Sequence, residues 1–126
     1  MSSLCITKGS GIFKAAIAVA PVTNWRFYDN IYTERFMRTP QENGENYDIN
    51  SPINFVEEMQ GSYLLVHGSA DDNVHYQNTM EMVNALVAAN KDYELLIYPD
   101  RNHGIYGGNT RLHLYNKMTD FLLQNL

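Results

Sequence analysis

Three short apolar runs, residues 13–20, 62–67 and 93–98, alternate along this chain with longer stretches whose apolar residues recur at helical spacing. The first run is bounded by Gly11 and Pro21, which favours a strand buried on both faces over a helix. Strands separated by helices of this length imply right-handed crossovers and a parallel sheet, so the fold class expected is α/β. Ligands in such sheets sit outside the carboxyl ends of the strands. Pro21 and Val22, Asp71, and His103 all fall just past those ends, on one rim.

The helical segments follow from spacing and caps. Residues 1–8 read as the end of a helix. Thr23 or Asn24 can cap a helix over residues 25–37, where Tyr28, Ile31, Tyr32 and Phe36 share a face. Residues 38–52, rich in Asn, Glu, Gly and Pro, read as a surface loop, followed by a short helix over 54–59. The spacing predicts an amphipathic helix over 72–90 with Tyr76, Met80, Val83, Leu86 and Val87 on one stripe. A last helix opens at Gly107-Gly108-Asn109-Thr110, with Tyr115, Met118, Phe121 and Leu122 expected to face the sheet.

A net charge of −5 with scattered Lys and Arg provides no phosphate-tracking surface, so a nucleic-acid partner is not expected. Cys5 stands alone, which rules out an internal disulfide and leaves it as a small buried hydrophobe. The longest apolar run, 15–22, is far short of the roughly 20 residues a membrane-spanning helix needs. Cellular location is left open.

The chemistry concentrates in two segments that directly follow strands, His67-Gly68-Ser69-Ala70-Asp71-Asp72-Asn73 and Pro99-Asp100-Arg101-Asn102-His103-Gly104. A carboxylate after one strand and a histidine after the next is how a doubly wound hydrolase presents the last two members of a triad, in the order nucleophile, acid, histidine. Histidine suits the task because its proton affinity lies near neutrality, and a buried carboxylate sets its tautomer. Position favours Asp71 over Asp72 as that carboxylate, with Asp72 left to cap the following helix.

No Gly-x-Ser-x-Gly occurs in the chain, and the nearest serines, Ser2 and Ser3, lie at its start. The expectation is therefore the C-terminal part of an α/β-hydrolase fold, its nucleophile just upstream. An unpaired outer edge on the first strand points the same way. His67 and His75 match no dependable zinc spacing, so no metal is expected. His67 reads as a satisfied strand-end residue, His75 as exposed in a first turn, and His113 as surface or packing. Trp25, Phe27, Tyr28, Tyr32 and Phe36 divide between core and an apolar pocket near the rim. A flavodoxin-like binding module would need a Gly-rich loop after the first strand, and Ala20-Pro21-Val22-Thr23 is not one.

Three blocks carry a family resemblance: Ala18-Val19-Ala20-Pro21-Val22 with Trp25 and Tyr28-Asp29; Ile31-Tyr32-Thr33-Glu34-Arg35-Phe36-Met37; and His67-Gly68-Ser69-Ala70-Asp71-Asp72-Asn73-Val74-His75, with His103-Gly104 beyond. With them the chain, over nearly its whole length, resembles the dipeptidyl peptidase IV branch of the prolyl oligopeptidase family. The resemblance implies a serine exopeptidase that releases dipeptides with a penultimate proline or alanine, without a cofactor, as a homodimer when intact. It implies Asp71 as triad acid and His103 as triad base. Val22, Trp25, Tyr28, Tyr32 and Val74 are implied as walls of the apolar substrate pocket, and Asn73 as an amide that contacts a substrate carbonyl. Residues 1–126 are then the C-terminal portion of the catalytic domain, lacking the nucleophile elbow and the β-propeller, and inactive alone. Residues 41–48 and Arg101-Asn102 depart from the branch pattern. An acylaminoacyl peptidase or an esterase would share the triad but not the tyrosine-rich pocket.

Overall fold

The computed structural model describes residues 1–126. Three parallel strands, β1 (Ala15–Val19), β2 (Ser62–Gly68) and β3 (Glu94–Tyr98), form one sheet in the order β1-β2-β3. Ala15 pairs with Ser62 and Val19 with Val66, while Leu64 pairs with Glu94 and Gly68 with Tyr98. This register brings the carboxyl ends of all three strands to one edge. Five helices accompany them: α1 (Ser2–Thr7), α2 (Asn30–Met37), α3 (Pro40–Ile49), α4 (Gln77–Ala88) and α5 (Thr110–Asn125).

Side chains alternate across a strand, and the centre strand uses both faces. Tyr63 and Leu65 point to one side, packing with Ile6, Ala16, Ala18, Val56, Met59, Met82 and Leu86. Leu64 and Val66 point to the other, against Tyr98, Ile105, Leu114 and Phe121. Helices α1 and α4 thus cover one face and α5 the other. This double cover explains why β2 reads as a continuous apolar run. The α/β class and the parallel strands are as expected from the sequence.

Four expectations for the helical segments need correction. The helix expected over 25–37 is broken: Trp25–Phe27 form a single 3-10 turn, Tyr28 is extended, and α2 starts only at Asn30. Asn24 caps the 3-10 turn through Arg26 N–H at 2.9 Å, and Asp29 caps α2 through Tyr32 N–H at 2.9 Å. Two successive side-chain caps thus divide what periodicity joined.

The expected surface loop over 38–52 contains α3. Thr39 and Glu42 form a reciprocal capping box there with Pro40 in the first turn, and Tyr47 is buried with its hydroxyl donating to Arg38 O at 2.6 Å. Helix α4 begins at Gln77 rather than Asp72, and no side chain caps it. Its buried stripe is Asn78, Thr79, Met82 and Leu86, whereas Val87 is exposed. On α5, Leu114 and Phe121 are buried, Met118 packs partly against them, and Tyr115 and Leu122 lie exposed.

Candidate active site

The loops after β2 and β3 are stitched together before any functional side chain is placed. Ser69 N–H donates to Tyr98 O at 3.0 Å, Ala70 N–H to Arg101 O at 3.1 Å, and Asp100 N–H to Ser69 Oγ at 2.9 Å. Gly68 permits this approach, because a Cβ at that position would stand 2.1 Å from Arg101 O. Beyond the stitch, Asn102 makes a turn in which its carbonyl accepts from Ile105 N–H at 3.0 Å. Ile105 drops into the core under α5 with φ at +45°, a strained backbone for a β-branched residue. His103 is held between these two anchors.

Asp71 and His103 meet. His103 Nδ1 lies 2.9 Å from Asp71 Oδ2; the carboxylate side chain is fully buried, and 42% of the imidazole side chain is exposed. The second carboxylate oxygen accepts from Asn73 N–H and Val74 N–H, each at 2.9 Å. Burial alone would raise the Asp71 pKa. The bonds from His103, Asn73 and Val74 and the nearby His103 charge outweigh it, and the carboxyl sits below its ordinary range. The group is an anion at neutral pH, and its bonded oxygen requires a proton on His103 Nδ1. Nε2 is then the lone-pair nitrogen. That is the tautomer that can accept a proton.

One side chain therefore performs two tasks. Asp72 caps no helix; Asp71 instead closes the turn that precedes α4, its Oδ1 accepting at Asn73 and Val74 while Oδ2 meets the histidine. Asp72 is exposed.

His67 is closer to this site than its sequence reading suggested. It is fully buried on β2, with Nε2 2.8 Å from Val74 O and 3.1 Å from Asp71 Oδ2, and Nδ1 2.7 Å from Thr79 Oγ1. Burial holds its pKa below the usual histidine value. A neutral ring beside a carbonyl must carry its proton on Nε2, so Nδ1 accepts from the Thr79 hydroxyl. His75 is exposed, and His113 Nδ1 bonds the Tyr98 hydroxyl at 2.8 Å.

The aromatic candidates assemble beside the rim. Trp25 and Tyr32 stack at 6.0 Å, and Tyr28 meets both edge-on at 5.8 and 5.6 Å. The Tyr28 hydroxyl donates to Asn73 Oδ1 at 2.7 Å, which joins the aromatic group to the loop that carries Asp71. Trp25 and Tyr32 line a concavity of about 180 Å³ with Thr33, Phe36 and Met37. Val22 lines another, of about 390 Å³, that shares Trp25 and Met37. Val74 is buried and takes part through its backbone. The six pocket candidates thus do not close around a single cavity; Trp25 bridges the two concavities.

A network that sequence reasoning missed lies beneath the aromatic turn. Asn78, fully buried, accepts Thr23 N–H at 3.0 Å on Oδ1 and donates from Nδ2 to Phe27 O at 3.3 Å and His75 O at 3.1 Å. Thr23 Oγ1 donates to Asn78 O at 2.6 Å, and Ser51 Oγ to Thr23 O at 2.7 Å. An Asn two residues into a helix carries no signal of such a role. Arg26 adds an outer tie, pairing with Asp48 on α3 at 3.0 Å.

Comparison with known proteins places the chain in a family. The prolyl oligopeptidase family, peptidase S9, matches residues 1–126. The chain is 46% identical over 127 residues to prolyl endopeptidase FAP of Mus musculus, taking in 98% of this chain and 17% of that protein. It is 43% identical to dipeptidyl peptidase 4 of Felis catus, with the same coverage. Among solved structures it resembles Porphyromonas gingivalis dipeptidyl peptidase 4, with a TM-score of 0.96 and 56% identity over 98% of this chain and 18% of that one. The chain therefore spans less than a fifth of the length of these relatives. With the parallel sheet, the paired Asp71 and His103 and the match along its full length, the chain belongs to the prolyl oligopeptidase family.

Proposed function

We propose that residues 1–126 form the C-terminal part of the catalytic domain of a serine dipeptidyl peptidase, in which Asp71 and His103 act as triad acid and base. The observation that carries this reading is the 2.9 Å contact between a buried carboxylate and a half-exposed imidazole across neighbouring strand ends. In the proposed mechanism a serine from residues upstream of Met1 gives its proton to His103 Nε2 while its oxygen attacks the carbonyl after the second residue of a peptide. Asp71 stabilises the imidazolium that results. The imidazolium then protonates the leaving amine as the C–N bond breaks, which leaves an acyl-enzyme. Water, deprotonated by His103, attacks the ester; the serine recovers its proton and a dipeptide departs.

Val22, Trp25, Tyr28, Tyr32 and Val74 are proposed to shape the pocket for a penultimate proline or alanine, and Asn73 to contact a substrate carbonyl. In support, Trp25, Tyr28 and Tyr32 are in mutual contact, and Tyr28 is bonded to Asn73. The intact enzyme is proposed to be a homodimer, in keeping with Leu112, Tyr115 and Leu123 exposed along α5. Sedimentation of the intact polypeptide tests that state, and a monomer at micromolar concentration overturns it.

Replacing His103 with Ala in the intact polypeptide should abolish cleavage of an Xaa-Pro chromogenic substrate. Turnover at the parent rate would refute the triad. Residues 1–126 alone should not hydrolyse it, because removing a triad serine costs on the order of 10⁶ in turnover in a comparable enzyme.

A further inference from the structure

We infer that Asn78 is a positioning residue that holds the aromatic wall of the proposed substrate pocket in place, and so sets its preference for proline over alanine. The inference rests on the dipeptidyl peptidase reading above. Its basis is where the Asn78 bonds fall. Thr23 lies two residues before Trp25 and Phe27 closes the 3-10 turn that Trp25 opens, and Asn78 bonds both, one through each pole of a single amide. The amide's second donor contact is to His75 O, in the segment that leads from Asp71 into α4. One buried group thus references the pocket wall to the segment that carries the proposed acid.

The wall's other polar ties, the Arg26–Asp48 pair and the Tyr28–Asn73 bond, are exposed to solvent, so the Asn78 bonds are its buried support. Neither Val22 nor Trp25 is fully buried, and the 3-10 turn is only three residues long, too short to hold its own shape. Thr23 and Ser51, both fully buried, extend the brace from Asn78 to the residue before Pro52. Every buried polar atom of Asn78, Thr23 and Ser51 finds a partner. A satisfied network of this kind fixes one arrangement, and half of it would not. The hydrogen bonds of Asn78 go to Thr23, Phe27 and His75, and none goes to Asp71 or His103. Its influence on substrate passes through Trp25 and Tyr28.

The test compares the intact peptidase with Asn78→Leu on Xaa-Pro and Xaa-Ala p-nitroanilides, together with the rate at which a small sulfonyl fluoride inactivates each. The reagent reports on the serine and His103 without filling the proline pocket. The expected result is a kcat/KM for the proline substrate lowered by up to about 100-fold, the loss a misplacement near 1 Å can bring, with most of it in KM. Discrimination between proline and alanine should shrink toward unity, with the sulfonylation rate falling much less than kcat/KM. Equal losses in kcat and sulfonylation with an unchanged proline-to-alanine ratio would overturn the inference.

If Asn78→Leu does not fold, Thr23→Val and Thr23→Ser decide. The first removes the 2.6 Å hydroxyl bond and should weaken discrimination several-fold; the second keeps the hydroxyl and should restore it. Identical ratios in both would sink the proposal. A parent enzyme that neither reacts with the sulfonyl fluoride nor loses activity on His103→Ala would instead defeat the underlying functional reading.

Discussion

Replacing Asp71 with Asn changes one atom of a group that has four contacts to satisfy, which makes its outcome calculable. The amide keeps one acceptor, and the best use of it is toward the N–H groups of Asn73 and Val74, each 2.9 Å from Oδ1. The NH2 then faces both imidazoles. His67 cannot yield, because Val74 O also needs the proton on its Nε2, so two donors oppose each other across 3.1 Å. His103 can yield by moving its proton from Nδ1 to Nε2. It then accepts from the new amide and loses the lone pair that would take a proton from serine.

Losing one hydrogen bond to a buried charge costs about 1.5–3 kcal/mol, and the opposed donors add to it, so about 3 kcal/mol of stability should go. The wrong tautomer costs about 10⁴ in kcat where such a change has been made in a serine protease. Urea unfolding of the chain and its Asp71→Asn variant measures the first effect, and Xaa-Pro hydrolysis by the intact enzyme the second. The sign of the pH dependence follows from the depressed carboxyl pKa of the native state. Its contribution is complete above the unfolded value of about 4 and is lost as pH falls through the folded value, so the two proteins should converge in acid. A variant as stable as the parent at pH 7, or one that keeps more than a tenth of kcat, would refute the reasoning.

Other outcomes follow from the same structure. His67→Gln can still donate to Val74 O and accept from Thr79. Because the native histidine has a lowered pKa, the parent should lose stability as pH falls below about 6.5, while the variant's pH–stability curve flattens over that range, read by thermal melts. Gly68→Ala forces the 101–103 backbone away from a Cβ it would meet at 2.1 Å. It should cost about 1–3 kcal/mol and, in the intact enzyme, most of the activity; a variant with parent kcat/KM would show the loop to be more pliant than argued. Leu65→Ala, at a fully buried position in the centre strand, should destabilise by about 2–5 kcal/mol in urea titrations.

The sheet was legible because a strand covered on both faces is largely apolar, as Leu64, Leu65 and Val66 are. The meeting of Asp71 with His103 followed from chain order and strand ends alone. Helix boundaries were less legible, since periodicity does not register a cap that interrupts it. Asp29 restarts a helix in the middle of the aromatic run, and Asp71 takes a turn that delays α4 by five residues. Helix α3 was readable in Thr39-Pro40-Gln41-Glu42, but its polar composition obscured the capping box. The partners of His67 and Asn78 were beyond reach. A buried polar side chain is defined by what folds over it, and contacts between positions 23, 51 and 78 leave no local pattern.

The carboxylate at position 71 closes its own turn with one oxygen and aims an imidazole with the other. Assembly of the fold and readiness for chemistry are therefore not separable properties of this loop. The turn that Oδ1 closes leaves Oδ2 already aimed at the loop after β3, so loss of the whole side chain removes a support of the fold and the partner of the histidine at once. A glutamate, one methylene longer, could serve one of these ends but not both, so even a charge-conserving exchange should fail here.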